Sequence, residues 1–235
     1  MYGTRARIGL IIPSPNTVVE PEFNAMKPEG VSVHSTRLLL TSGTEEGLNR
    51  MAGGTEKAAQ LLSTAMVDII AYACTTGSLV KNLGWDQVLI RRIEETTNIP
   101  ATTTSTAVIR AFKQLGVSKI AVASPYSQEL NRLEKDFFEA NGIKVVNMMG
   151  LDLHGEKLGS APPEMTYKLA CEVNVPEAQA VFISCTGFKS ITIIEQLEEE
   201  LHKYVFSSNT ATMWDVLKRL KIDHPIKGYG TLFEH

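Results

Sequence analysis

Two of the three cysteines in this 235-residue chain, Cys74 and Cys185, stand where a thiol can do chemistry. Each closes a short apolar run, Asp68-Ile-Ile-Ala-Tyr-Ala-Cys74 and Gln179-Ala-Val-Phe-Ile-Ser-Cys185, and each is followed by threonine and glycine. A thiol at the end of a strand, entering a loop and then a helix, has backbone N–H groups around it that favour the thiolate. The same N–H groups, with the hydroxyls of Thr75, Thr76 and Thr186 and the backbone of Gly187, can hold a carboxylate or a developing enolate. The plain alternative for either cysteine is a small apolar core residue, the usual fate of a free thiol. Two cysteines in matched settings favour the catalytic reading: one nucleophile or base and one acid. Cys171 lies inside Tyr167-Lys-Leu-Ala-Cys-Glu-Val at helical spacing and is expected to pack in the core.

A second group of donors follows the first apolar run. Pro13-Ser14-Pro15-Asn16-Thr17 is a turn in which Ser14 and Asn16 can bind a carboxylate oxygen. The same residues can serve only as a cap for the helix beginning at Val18. Tyr126 occupies the corresponding place after the run Lys119-Ile-Ala-Val-Ala-Ser-Pro, and its hydroxyl can donate to a carboxylate or an enediolate. The five histidines are scattered, with no metal-ligand spacing. There is no Gly-x-Gly-x-x-Gly after a strand and no phosphate-binding loop, so nucleotide cofactors are not expected. The run Thr102-Thr-Thr-Ser-Thr106 is expected to cap the next helix.

The elements that must carry these residues alternate. Strands are expected at Arg7–Ile12, Val31–Thr36, Val67–Tyr72, Ile120–Ala123, Lys144–Met148 and Ala180–Ile183. Their near-continuous apolar character suits a parallel sheet covered on both faces. Helices are expected at Val18–Met26, Glu45–Thr64, Trp85–Thr96, Thr106–Leu115, Gln128–Asn141, Glu164–Val173, Ser190–His202 and Ala211–Leu220. This rhythm implies an α/β fold with right-handed crossovers. The chain also repeats itself. Arg7–Ser14 resembles Lys119–Tyr126, and the segment ending at Cys74 resembles that ending at Cys185, at the same spacing along the chain to within one residue. Two similar α/β subdomains related by a pseudo-two-fold follow, residues 1–105 and 106–235, with the last helix free to pack back on the first half. Ligands bind beyond the C-terminal ends of the strands in open parallel sheets, so both cysteines should face one cleft between the halves.

Composition limits the function classes. The chain is 43% hydrophobic and 21% charged, with a formal net charge of −3. No basic excess points to nucleic acid or an anionic membrane. No apolar stretch reaches the roughly 20 residues needed to span a bilayer, and the first residues lack the pattern of a secretory leader. The expectation is a cytoplasmic protein with free thiols. The sequence leaves open a homo-oligomer.

At these residues the chain resembles the Asp/Glu racemase superfamily, in the branch of maleate cis-trans isomerases and arylmalonate decarboxylases. The resemblance is carried by Gly9-Leu-Ile-Ile-Pro-Ser-Pro-Asn-Thr-Val-Val-Glu-Pro-Glu, Ala73-Cys-Thr-Thr-Gly-Ser, Thr102-Thr-Thr-Ser-Thr-Ala-Val, Ala123-Ser-Pro-Tyr, Ile183-Ser-Cys-Thr-Gly and Gly228-Tyr-Gly-Thr-Leu-Phe-Glu, in order over nearly the whole chain. It implies two α/β subdomains around a cleft and chemistry without a cofactor. Both cleft cysteines occur in the racemases and maleate isomerases. The decarboxylases have glycine at the first position, where this chain has Cys74. By the same resemblance, Asn16 binds a substrate carboxylate, and Thr75, Thr76 and Tyr126 resemble a dioxyanion pocket.

The expected function is therefore a cofactor-independent isomerase of a small mono- or dicarboxylate, resembling maleate cis-trans isomerase. A two-cysteine racemase, an arylmalonate decarboxylase-like enzyme and a non-catalytic binder are the alternatives, in that order.

Overall fold

The computed structural model describes residues 2–223 and 225–235. The chain runs β1 (Ala6–Pro13), α1 (Val19–Met26), β2 (Val31–Leu38), α2 (Glu45–Ala52), α3 (Thr55–Thr64), β3 (Ile69–Tyr72), α4 (Thr75–Leu79), α5 (Trp85–Thr97), β4 (Ala101–Thr103) and α6 (Thr104–Gln114). It continues with β5 (Lys119–Ser124), α7 (Gln128–Ala140), β6 (Lys144–Gly150), α8 (Gly155–Ser160), α9 (Pro163–Val173), β7 (Ala180–Ile183), α10 (Ile194–Leu201), β8 (Tyr204–Ser207) and α11 (Ser208–Arg219), then a 3-10 turn at Thr231–Glu234. The strands form two four-stranded parallel sheets with the same order, β2-β1-β3-β4 and β6-β5-β7-β8. The six expected strands are all present. None of the helices among the described residues is long and apolar enough to cross a membrane.

The repeat seen in the sequence is a repeat of register. Ile11 pairs with Tyr72 between β1 and β3, and Ala123 pairs with Ile183 between β5 and β7. The next hydrogen bond up each pair is also the same: Ala73 N–H donates to the Ile11 carbonyl and Ser184 N–H to the Ala123 carbonyl, both at 2.8 Å. Both sheets therefore deliver a cysteine at the same height above the central strand.

The halves exchange helices. Phe112 of α6 packs against Phe182 of β7 and Phe206 of β8, with ring centroids 5.8 and 4.9 Å away. In return α11 lies against α6, β3 and β4. Thr102 Oγ1 donates to Asp215 Oδ2 at 2.6 Å, and Arg110 pairs with Asp215 at 2.9 Å. One apolar cluster consequently spans both sheets, from Ile8 and Leu10 to Val122 and Phe182.

Three expectations are corrected. The helix expected over Glu45–Thr64 is two helices, because Gly53 and Gly54 break it; a Cβ on Gly54 would stand 2.8 Å from the Leu38 side chain. The helix expected from Ser190 starts at Ile194, because the Ser190 and Ile191 N–H groups donate instead to Glu22 Oε1 of α1. The threonine run is part strand: Ala101–Thr103 is β4, and Thr103 caps α6 by accepting from Thr106 N–H.

Candidate active site

Cys74 leaves β3 in extended conformation (φ −148°, ψ 114°) and occupies the cap position of α4. The chain turns at once into the short helix, so its sulfur receives hydrogen bonds from the Gly77 N–H and the Thr76 hydroxyl. Gly77 is required there: a Cβ would lie 2.9 Å from the Cys74 sulfur. Cys185 sits two residues past the end of β7 with a positive φ of 89°. A non-glycine residue held in that region stores strain of order 1–3 kcal/mol, and such strain clusters at functional sites. Its sulfur accepts from the Gly187 N–H at 3.3 Å and from the Tyr126 hydroxyl.

Cross-links bind these turns together. Ser208 Oγ, at the start of α11, accepts from the Cys185 N–H at 3.0 Å and shares a 2.8 Å hydrogen bond with Thr75 Oγ1. Thr186 Oγ1 donates to the Ala73 carbonyl at 3.2 Å and accepts from Asn16 Nδ2 at 3.0 Å. Asn16 Oδ1 in turn accepts from Val18 and Val19 N–H, capping α1. The Asn16 side chain thus caps a helix and joins the two halves at once.

Asn16, Cys74, Thr75, Thr76, Tyr126, Cys185, Thr186 and Gly187 all line one cavity of about 660 Å³. Ser14 does not. Its hydroxyl accepts from Leu40 N–H at 3.1 Å, so it anchors the loop after β2 rather than facing the cavity. That loop lines the cavity from Leu40 to Thr44, and Leu153, His154 and Leu158 close it from the other half. The sequence reading missed this wall, and missed Ser208. The signals were weak: α8 is six residues long and β8, which delivers Ser208, is four.

Burial decides the protonation of the site. Removal from water pushes the Cys74 thiol up to about 12, against the lowering hydrogen bond from Gly77 and with a further rise from nearby Cys185. Burial likewise pushes Cys185 to about 11, opposed by the bonds from Gly187 and Tyr126. Tyr126 is itself raised well above the phenol range, by burial and then by the repulsion that a thiolate at Cys185 would exert, and stays an O–H donor. Both thiols are therefore neutral before substrate enters. The lining holds His154 but no lysine or arginine. Among the described residues no three His, Cys, Asp or Glu side chains cluster as metal ligands do.

Two helix-exchanged parallel sheets that each carry a thiol to one shared cavity have the layout of a two-lobed α/β enzyme. The chain belongs to the arylmalonate decarboxylase family, whose model matches residues 8–233. It is 28% identical to the maleate isomerase of Geobacillus stearothermophilus over 241 aligned residues, covering 96% of each chain. It is 24% identical to the arylmalonate decarboxylase of Bordetella bronchiseptica, covering 97% of this chain and 96% of that one. Among solved structures, a cysteine-to-alanine variant of the maleate isomerase Iso from Pseudomonas putida S16 with maleate superposes with a TM-score of 0.93, at 28% identity and 97% coverage of both chains.

Proposed function

We propose that this protein interconverts maleate and fumarate without a cofactor, with Cys74 as nucleophile and Cys185 as proton carrier. The observation that carries the reading is the pair of thiols, one from each half, lining the same cavity. The full-length similarity to maleate isomerases supports it.

The chemistry follows from the two sulfurs. Cys74 loses its proton to solvent, aided by the Gly77 N–H and Thr76 hydroxyl that favour its thiolate. The thiolate adds to one alkene carbon of the cis-diacid, and the π electrons move toward the far carboxyl group as an enediolate. Neutral donors of Asn16, Tyr126 and the turns after each cysteine stabilise that charge. The Cys185 thiol gives its proton to the neighbouring carbon. The former double bond is now single and rotates. Cys185 thiolate removes a proton, the carbon–sulfur bond to Cys74 breaks, and fumarate leaves. Addition thus replaces one hard rotation by easier steps. Both thiols belong to one chain, so the reaction needs no second copy. The reducing cytoplasm, where both thiols stay free, is the fitting compartment.

A second reading, decarboxylation of an arylmalonate with Cys185 as proton donor, is favoured by one observation. Leu40, Leu48, Leu130, Leu153 and Leu158 give the cavity an apolar side larger than a four-carbon diacid fills. Incubation with maleate and with phenylmalonate in parallel tests both. Fumarate from maleate, abolished in Cys74→Ser and in Cys185→Ser, is the expected result. No turnover of maleate by protein with intact thiols would sink the isomerase reading, and loss of carbon dioxide from phenylmalonate would replace it.

A further inference from the structure

Behind Cys185 lies an acid that the mechanism above does not use. Glu134 of α7 is fully buried, as is Ser184. Ser184 Oγ and Glu134 Oε1 are 2.5 Å apart. The other carboxyl oxygen, Oε2, is buried without any hydrogen-bond partner. Among the described residues no Lys, Arg or His forms an ion pair with Glu134. The two cations nearest along its helix, Arg132 and Lys135, line an outer groove instead. An ionised carboxylate with one bare oxygen and no counter-charge would carry the full desolvation penalty. A neutral acid does not.

The contacts continue toward the sulfur. The Tyr126 hydroxyl interacts with both Ser184 and Cys185. Glu134, Ser184, Tyr126 and Cys185 form one chain of groups, and each hydroxyl has a single proton to give. With Glu134 neutral, its O–H donates to Ser184, freeing Ser184 to donate to Tyr126 and Tyr126 to donate to the Cys185 sulfur. With Glu134 ionised, Ser184 must donate backward to the carboxylate, and the chain loses its direction. A new negative charge would also face Tyr126 and Cys185, the two ionisable groups that feel it.

We propose that Glu134 is a positioning acid, held neutral, that works through Ser184 and Tyr126 to stabilise the thiolate of Cys185. The proposal rests on Cys185 being the proton carrier, because a chain aimed at its sulfur eases the step in which Cys185 has given its proton away. Burial raises the Glu134 carboxyl to about 8, against the lowering effect of its bond to Ser184, in accord with the geometry.

Two measurements without turnover test it. Difference infrared spectra of the ligand-free protein should show a neutral-acid carbonyl band that titrates near pH 8 and is missing from Glu134→Gln; absence of the band at neutral pH overturns the proposal. Alkylation of Cys185 by iodoacetamide, read by peptide mass mapping, gives the second readout. Glu134→Leu should slow it about tenfold at neutral pH, the worth of one lost donor. Glu134→Gln, whose amide still donates to Ser184, should restore most of that rate and remove the inflection near pH 8. Equal rates in wild type and a folded Glu134→Leu, or a Gln variant as slow as the Leu one, overturn the proposal. If the pattern holds but maleate is not turned over, the isomerase reading fails alone.

Discussion

Replacing Gly77 by alanine separates the geometry of Cys74 from the stability of the fold. The added Cβ would stand 2.9 Å from the Cys74 sulfur, 3.0 Å from Met51 Cε and 3.2 Å from the Tyr72 hydroxyl. Comfortable non-bonded contact begins at roughly 3.5–4.0 Å, so the gap must widen by roughly 0.6–1.1 Å. Met51 ends in a flexible methyl and can swing aside. The sulfur is only two bonds from a backbone fixed by β3 and α4, and has little room to move apart from it. Overpacking of this kind costs about 1–3 kcal/mol, offset by about 0.5–1 kcal/mol because alanine suits a helix better than glycine. The net loss of stability is then about 0–2.5 kcal/mol. A displacement near 1 Å at a reacting atom costs about 100-fold in rate. Gly77→Ala should therefore lose about 100-fold in maleate turnover while urea unfolding loses no more than about 2.5 kcal/mol. A folded Gly77→Ala enzyme with at least half the wild-type rate would refute the inference that Gly77 makes room for the sulfur.

Other outcomes follow from contacts already described. Asp215→Ala takes the acceptor from buried Thr102 and from partly exposed Arg110 and should cost about 1–3 kcal/mol in urea unfolding, whereas Asp215→Asn should cost less. Alkylation of Cys74 should keep rising from neutral pH through about pH 10 without a plateau, because the group titrates only near 12; a plateau near pH 8 would contradict the burial of that thiol. Ser14→Ala frees the Leu40 N–H and loosens one wall of the cavity, so KM for maleate should rise severalfold with kcat nearly unchanged in steady-state kinetics. A group whose folded pKa lies above its unfolded value binds its proton more tightly when folded. Glu134 therefore contributes stability below about pH 4.5 that is lost as pH rises toward 8. Glu134→Gln should flatten the thermal-unfolding profile over that range.

The parts of the fold that were legible in the sequence are those with long apolar runs or a duplicated pattern. β1, β3, β5 and β7 sit at the centre of their sheets, are apolar but for Arg7, Lys119 and Ser124 near their ends, and carry the repeated segments. Their repeated segments, at nearly one offset along the chain, are why the sequence alone pairs the two cysteines. β4 and β8 were missed because they are three and four residues long and run straight into helices whose caps are Ser or Thr. At such a junction the same hydroxyl residue reads as a cap, and it is one. The break at Gly53-Gly54 depends on the approach of Leu38 from another strand, which no local pattern records. The same holds within the site. Asn16 and Tyr126 follow strands and announce themselves; Ser208 and Glu134 matter through partners in contact across 23 and 50 residues.

The exchange of α6 and α11 has a meaning for the origin of the molecule. Suppose one half existed alone, ending in its α6 or α11 equivalent. That helix would leave its own sheet uncovered and lie on the sheet of a neighbour, so the smallest closed unit is a pair of identical chains swapping their last helices. Such a pair has a two-fold axis through the cavity and two identical thiols facing each other, a site suited to adding a proton on one face and removing it from the other. Joining the two copies end to end leaves the architecture seen here and frees the two sites to diverge. The divergence is visible in the backbone: Cys74 is extended, whereas Cys185 is held at a positive φ. One gene fusion would thus have let two equivalent thiols take the distinct roles proposed for Cys74 and Cys185.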